Sequence, residues 1–250
     1  MIYFISFGDT LNYNKNKNRI CSQADAFKLF DKIIWYNETD LDKTFFEKHK
    51  DFFENNKRGF GYWLWKPQIV KQTLNMMNDN DILVYADSGC SLFPTGIDRL
   101  KQYIDYVNKY EVGNLSFQLN EFCTEKKFNK GKLINKYNYI SDKTLVLEHG
   151  NKDNIINQQL MATAFIIRKC DFTINLVEKW LEECEIYNNI DDSKIDSNNY
   201  DEFIDHRHDQ AIFSLIRKSL GTIIIQDDTY IAYPNWYQRL DIPVHATRIK

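Results

Sequence analysis

Four short stretches of this chain carry side chains that could do chemistry. The first is Asp81-Ile-Leu-Val-Tyr-Ala-Asp87-Ser-Gly89. Its apolar run, residues 82–86, reads as a buried strand. That strand delivers the Asp87 carboxylate at its C-terminal end, the edge of an open α/β sheet where ligands bind. Ala86 and Ser88 leave room for a ligand's close approach. Asp-Ser-Gly is also good turn chemistry, so a plain turn role for Asp87 stands beside the functional one. The second stretch is Arg58-Gly-Phe-Gly-Tyr-Trp-Leu-Trp-Lys66-Pro67. Gly59 and Gly61 permit a tight backbone, and Tyr62, Trp63 and Trp65 offer flat faces for a base or a sugar. Lys66 falls at a helix start, where backbone N–H groups and a cation favour phosphate. The same aromatics could instead plug the loop onto the core. The third stretch, His206-Arg207-His208-Asp209-Gln210, precedes an apolar helix. A carboxylate there could act as a base or stabilise a developing cation; Asp209 could equally be a helix cap. The fourth is the tail, Pro243-Val-His245-Ala-Thr-Arg248, which could fold back to supply a metal ligand and a phosphate clamp, or lie in solvent.

The elements around these stretches alternate. Strands are expected at 2–7, 32–36, 82–86, 115–119, 160–167 and 222–226. Helices are expected at 22–30, 40–53, 67–77, 97–110, 142–148, 172–185 and 209–220, with an irregular excursion at 120–139. Strands separated by helices argue for a mostly parallel central sheet flanked by helices. With no linker or internal repeat, the chain reads as a single domain. A nucleotide-binding half spans 1–119 and an acceptor-side half 120–250.

Composition narrows the class. The chain has 250 residues, 43% hydrophobic, enough for one large α/β core. A formal net charge of −3 argues against a nucleic-acid partner, which needs a strongly basic surface. The five cysteines form no ligand spacing and are odd in number, so reduced thiols in a cytoplasmic protein are expected. No stretch approaches the roughly 18 apolar residues of a transmembrane segment.

Taken together, the four stretches resemble the nucleotide-diphospho-sugar glycosyltransferases of GT-A fold. The opening strand Tyr3-Phe-Ile-Ser-Phe-Gly8 resembles the strand whose end holds the nucleotide, and Trp65-Lys-Pro through Asp87-Ser-Gly89 resembles the unit leading into the family's DxD motif. His208-Asp209-Gln210 resembles the HDQ element on the acceptor side. The pattern is also similar to a group of small viral and bacterial sugar transferases, which suggests a virus-encoded protein in a host cytoplasm.

The resemblance implies an α/β GT-A-like domain, Rossmann-like in its first half. It implies a donor site of Ser6, Phe7, Gly8, Trp65, Lys66, Asp87, Ser88 and Arg248, and acceptor contacts at His208 and Gln210. Asp209, with Gln158 or Gln159, is the candidate near the anomeric carbon. Asp87 takes the first place of the DxD, but Gly89 stands at the second. A divalent metal, Mn2+ or Mg2+, would therefore sit between Asp87, the diphosphate and His245. In metal-independent chemistry Lys66 and Arg248 would neutralise the leaving group. The implied reaction moves a hexose from a nucleotide sugar, UDP-sugar before GDP-sugar, to a glycan hydroxyl, with retention favoured. The alternatives are a carbohydrate-binding module, which would ignore UDP, and a sugar nucleotidyltransferase, which would need a Gly-rich basic loop.

Overall fold

The computed structural model describes residues 1–10, 14–193 and 198–249. Its first strand, β1 (Ile2–Phe7), is buried on both faces from Tyr3 onward. This is why its sequence is nearly continuously apolar rather than alternating. Helix α1 (Lys17–Ala26) leads to β2 (Lys32–Tyr36), and α2 (Lys43–Asn55), the short turn α3 (Gly59–Tyr62) and α4 (Trp65–Met76) lead to β3 (Ile82–Ala86). After the two-residue β4 (Ser91–Leu92) come α5 (Ile97–Lys109) and β5 (Asn114–Gln118). Two short helices, α6 (Glu125–Phe128) and α7 (Gly131–Lys136), precede β6 (Leu145–Val146) and β7 (Ala164–Arg168). The chain then runs through α8 (Asp171–Cys184), α9 (Tyr187–Ile190), α10 (His208–Leu220), β8 (Ile223–Gln226) and β9 (Val244–His245).

Seven strands form one sheet in the order β2-β1-β3-β7-β5-β8-β6. Every neighbouring pair is parallel except those of β7, which runs antiparallel to β3 and β5. The C-terminal ends of β1, β3, β5 and β8 therefore share one edge with the N-terminal end of β7. Residues that leave the sheet there, such as Asp87 after β3 and Asp227 after β8, converge on that edge.

Successive strand residues feed opposite layers. Tyr3, Ile5, Phe7, Leu83 and Tyr85 join one buried cluster with α2, α4, α8 and α10. Phe4, Ile82, Val84 and Ala86 join the other, with α1 and α5. Helix α10 buries Ile212, Phe213, Leu215 and Ile216, and Phe213 stacks on Trp180 of α8 at 3.8 Å. Each such side chain contributes about 1.5–3 kcal/mol on burial. That packing fixes where α10 begins. The layout is the expected α/β one: a mostly parallel sheet flanked by helices.

Three local expectations are corrected. Residues 142–148 are not a helix; Leu145 and Val146 pair in parallel with Ile223 and Ile224 of β8, whose open edge outweighs a weak local preference. Helix α1 begins at Lys17 rather than near residue 22. The excursion at 120–139 contains α6, capped by the Thr124 hydroxyl, and α7.

Candidate functional site

Between α2 and α4 the backbone does something unusual. Gly59, Phe60, Gly61, Tyr62 and Trp63 all have positive φ, from 49° to 75°. Tyr62 N–H bonds to the Arg58 carbonyl at 2.8 Å and Trp63 N–H to the Gly59 carbonyl at 3.1 Å. The segment is thus one turn of left-handed helix, which costs about 1–2 kcal/mol at each non-glycine residue. Aromatic contacts offset that cost. Phe60 stacks on Phe53 at 4.8 Å, Tyr62 stacks on His208 at 4.8 Å, and the Trp65 indole donates to the Gly59 carbonyl at 2.9 Å. Strain of this kind gathers where a site must present side chains in a set direction. Here Phe60 and Trp63 are presented beside Phe7, which stacks on Trp65 at 3.7 Å and 16°.

Lys66, in the first turn of α4, is buried. Its Nζ lies 3.1 Å from Asp87 Oδ1, 3.0 Å from Asp209 Oδ2 and 3.2 Å from the Ala162 carbonyl. Burial lowers the ammonium's pKa, but the two carboxylates together carry it above the usual lysine value. Burial pushes the Asp209 carboxyl up to about 6, with Lys66 opposing. Tyr85 donates its hydroxyl to Asp87 Oδ1 at 2.5 Å, and burial together with that carboxylate raises the phenol's pKa. Asp87 is therefore held by one oxygen from below, while its side chain stays 32% exposed.

The tail closes over this carboxylate. The Gly89 carbonyl accepts from Ile249 N–H at 2.9 Å and from the Thr247 hydroxyl at 3.0 Å. A Cβ on Gly89 would lie 3.3 Å from the Ile249 carbonyl oxygen and 3.4 Å from Arg248 Cα. The tail backbone thus lies against the place where the second DxD carboxylate would project. In its stead comes Arg248, whose Nε donates to the Tyr230 hydroxyl at 2.8 Å. The result is a cavity of about 290 Å³. It is lined by the aromatics Phe7, Phe60, Trp63 and Trp65, by Asp9, Asp87, Ser88 and Gly89, and by Tyr230 and Arg248. Flat aromatic faces suit a nucleobase, a carboxylate suits ribose or sugar hydroxyls, and arginine suits a diphosphate.

Of the expected donor residues, Phe7, Trp65, Asp87, Ser88 and Arg248 line this cavity. Ser6 and Gly8 do not: Ser6 is buried with its hydroxyl on the Ala86 carbonyl, and Gly8 N–H bonds to Tyr36. Lys66 faces two carboxylates rather than phosphate. Of the expected acceptor and catalytic groups, His208, Asp209 and Gln159 are buried and Gln210 is half-buried. His208 is buried, with Nδ1 at 2.7 Å from the Ile190 carbonyl and its ring against Tyr62 and Trp63. Gln210 bridges Ala162 N–H and the Gln159 amide. Gln159 is fully buried, donating to Glu125 and the Phe128 carbonyl. Its neighbour Gln158 accepts from Gln118 at 2.9 Å. Asp209 touches the site only through Lys66. The apolar face that anchors α10 draws His208 and Asp209 of its first turn under the surface, while Gln158 lines a separate cavity beyond the ends of β5 and β8. Asp9, Thr163 and Tyr230 also line the cavity and were not expected there. The aromatic run Tyr230, Tyr233, Trp236 and Tyr237 was the available signal for the last.

A divalent ion finds a poor donor set here. His245 is buried, with Nε2 2.9 Å from the Arg239 carbonyl and its ring edge-on to Phe93 and Trp236. Among the described residues no group of three His, Cys, Asp or Glu side chains could hold a metal. The residues present do not fit the Asp87–His245 metal site expected above.

No family model matches the chain, and no curated protein matches it. Solved structures do. A glycosyltransferase involved in glycosylation of the major capsid of PBCV-1 is similar at 9% identity and TM-score 0.48, over 98% of this chain and 92% of that one. Mouse xyloside xylosyltransferase 1, in its apo form, is similar at 11% identity and TM-score 0.45, over 100% and 95%. A 4-diphosphocytidyl-2C-methyl-D-erythritol synthase from Anaerococcus prevotii gives 11% and 0.38, over 96% and 98%. Glycosyltransferases and a nucleotide-transferring enzyme thus stand side by side among them. With TM-scores below 0.5 in these three, the chemistry of this chain is argued from its own cavity.

Proposed function

We propose that the chain is a glycosyltransferase that binds a nucleoside-diphosphate sugar in this cavity, a UDP-sugar first, and passes the sugar to a hydroxyl of a glycan. The observation that carries this reading is the meeting of four aromatic rings, the Asp87 carboxylate and the Arg248 guanidinium around one cavity at the sheet's C-terminal edge. The base lies on the aromatic faces. Asp87, oriented by Tyr85 and Lys66, accepts hydrogen bonds from ribose or sugar hydroxyls. Arg248 meets the charge that grows on the diphosphate as the sugar–phosphate bond breaks. The acceptor oxygen bonds to the anomeric carbon on the same face, and its proton passes to the leaving phosphate oxygen, which retains configuration. Asp209 acts through Lys66 as a positioning residue. The five free thiols suit a reducing, cytoplasmic setting, and no helix among the described residues is long and apolar enough to cross a membrane.

A screen of UDP-glucose, UDP-galactose, UDP-N-acetylglucosamine and GDP-mannose for donor hydrolysis tests the reading. At least one donor should be cleaved, and Asp87→Asn should slow that cleavage about a hundredfold. No cleavage of any donor, or an Asp87→Asn protein as fast as wild type, contradicts it.

A further inference from the structure

A second cavity opens on the same sheet edge, beyond the ends of β5 and β8. Its volume is about 460 Å³, and it shares one residue, Tyr230, with the aromatic cavity. The Tyr230 hydroxyl is already bonded to Arg248, so the two spaces meet at the group that carries the tail arginine.

The lining of this second space differs from that of the first. Asp227 receives both the N–H and the hydroxyl of Thr229 on Oδ1, each at 2.8 Å. No partner is recorded for its Oδ2 among the described residues, and the side chain is only half-buried. Gln226, at the end of β8, is exposed, and among the described residues its side-chain amide makes no hydrogen bond. Gln118 is the fixed part: its amide donates to Gln158 at 2.9 Å and to the Asn151 carbonyl at 3.1 Å, and accepts from Asn151 N–H at 2.7 Å. Asn120 accepts from Phe122 N–H at 3.1 Å, and that turn leaves the Phe122 ring 68% exposed at the rim.

An oriented carboxylate, a free planar amide and an exposed ring beside one cavity is the chemistry that sugars need. Hydroxyl pairs bond to carboxylate and amide oxygens, while the C–H face of the ring lies on an aromatic plane. For a diphosphate this lining offers no lysine or arginine, and His149 stands among Glu121 and Asp227. We propose that this second cavity is the acceptor subsite and takes a neutral saccharide, with Asp227 and Gln226 on its hydroxyls and Phe122 under one sugar face. The inference rests on the donor reading of the first cavity, because Tyr230 then stands where donor and acceptor meet.

Saturation-transfer NMR on the full chain with UDP present tests it. The probes are methyl α-glucoside, methyl β-galactoside, methyl α-mannoside and methyl β-N-acetylglucosaminide at millimolar concentration. Wild type should saturate at least one glycoside. Phe122→Ala/Gln226→Ala, both changes at exposed positions, should cut that signal at least fivefold. Asp227→Asn should weaken it as well. UDP titration of the double variant should stay within twofold of wild type, which also shows that it is folded. An unchanged signal in the double variant, or no signal from any glycoside in wild type, overturns the acceptor subsite. Failure of UDP to bind wild type strikes the donor reading instead, and a glycoside signal that the double variant loses still places a saccharide in the second cavity.

Discussion

Burial holds the Asp209 carboxyl at about 6 even with the Lys66 ammonium 3.0 Å away, against 3.8 for the free side chain. The folded chain therefore keeps a proton on this group that the unfolded chain has already released. Between pH of about 4 and about 6 the folded state binds more protons, so this group's contribution to stability falls as pH rises. Asp209→Asn removes the titration while keeping size and hydrogen-bonding capacity. In urea unfolding at pH 4.5 and pH 7.5, the variant should gain on wild type at the higher pH. A stability difference that is the same at both pH values would contradict the buried, proton-retaining Asp209. Asp87 was legible in the sequence because an apolar strand ending in Ala-Asp-Ser places a carboxylate at a sheet edge whatever surrounds it. Lys66 was legible as a cation at a helix start, but not as one enclosed by two carboxylates. Its partner Asp209 is 143 residues away in sequence. The burial of His208 was hidden for the same reason: a polar side chain before an apolar helix looks available until tertiary packing shows what covers it.

Among the elements, the left-handed turn decides the shape of the aromatic cavity. Gly61 has φ of +75°, and a Cβ placed there would lie 2.4 Å from the Phe53 ring. Gly61→Ala therefore meets both a backbone penalty and an overlap with a core ring. It should destabilise the fold by about 2 kcal/mol or more in guanidinium unfolding. A loss under about 0.5 kcal/mol would mean that the turn readily relaxes to a right-handed form. The two glycines signalled tight backbone. They could not signal handedness, which is imposed from elsewhere by Phe53 of α2 and by His208 at the start of α10. The same limit explains β6. Nothing local makes residues 145–146 a strand; the edge of β8 does.

At the scale of the whole molecule, one sheet carries two adjoining cavities on one edge, and the tail seals the first through Gly89. The strands were legible from continuous apolar runs between helices. The reversal of β7 was not, since an apolar run reads alike in both directions. Nor was the tail's course: only the folded chain shows that its backbone lies against Gly89 and sets Arg248 at the cavity in place of a second carboxylate. The proposed function requires this cavity to hold a nucleoside diphosphate by its own residues. Isothermal titration of UDP in the presence of EDTA tests that claim most directly, with wild type and Arg248→Ala measured side by side. Loss of one charged hydrogen-bonding group should weaken binding by about 1.5–3 kcal/mol, a tenfold to hundredfold change. Wild type should give measurable heat without metal, and Arg248→Ala should bind at least tenfold more weakly. No binding by wild type, or equal affinity in the two proteins, would contradict it.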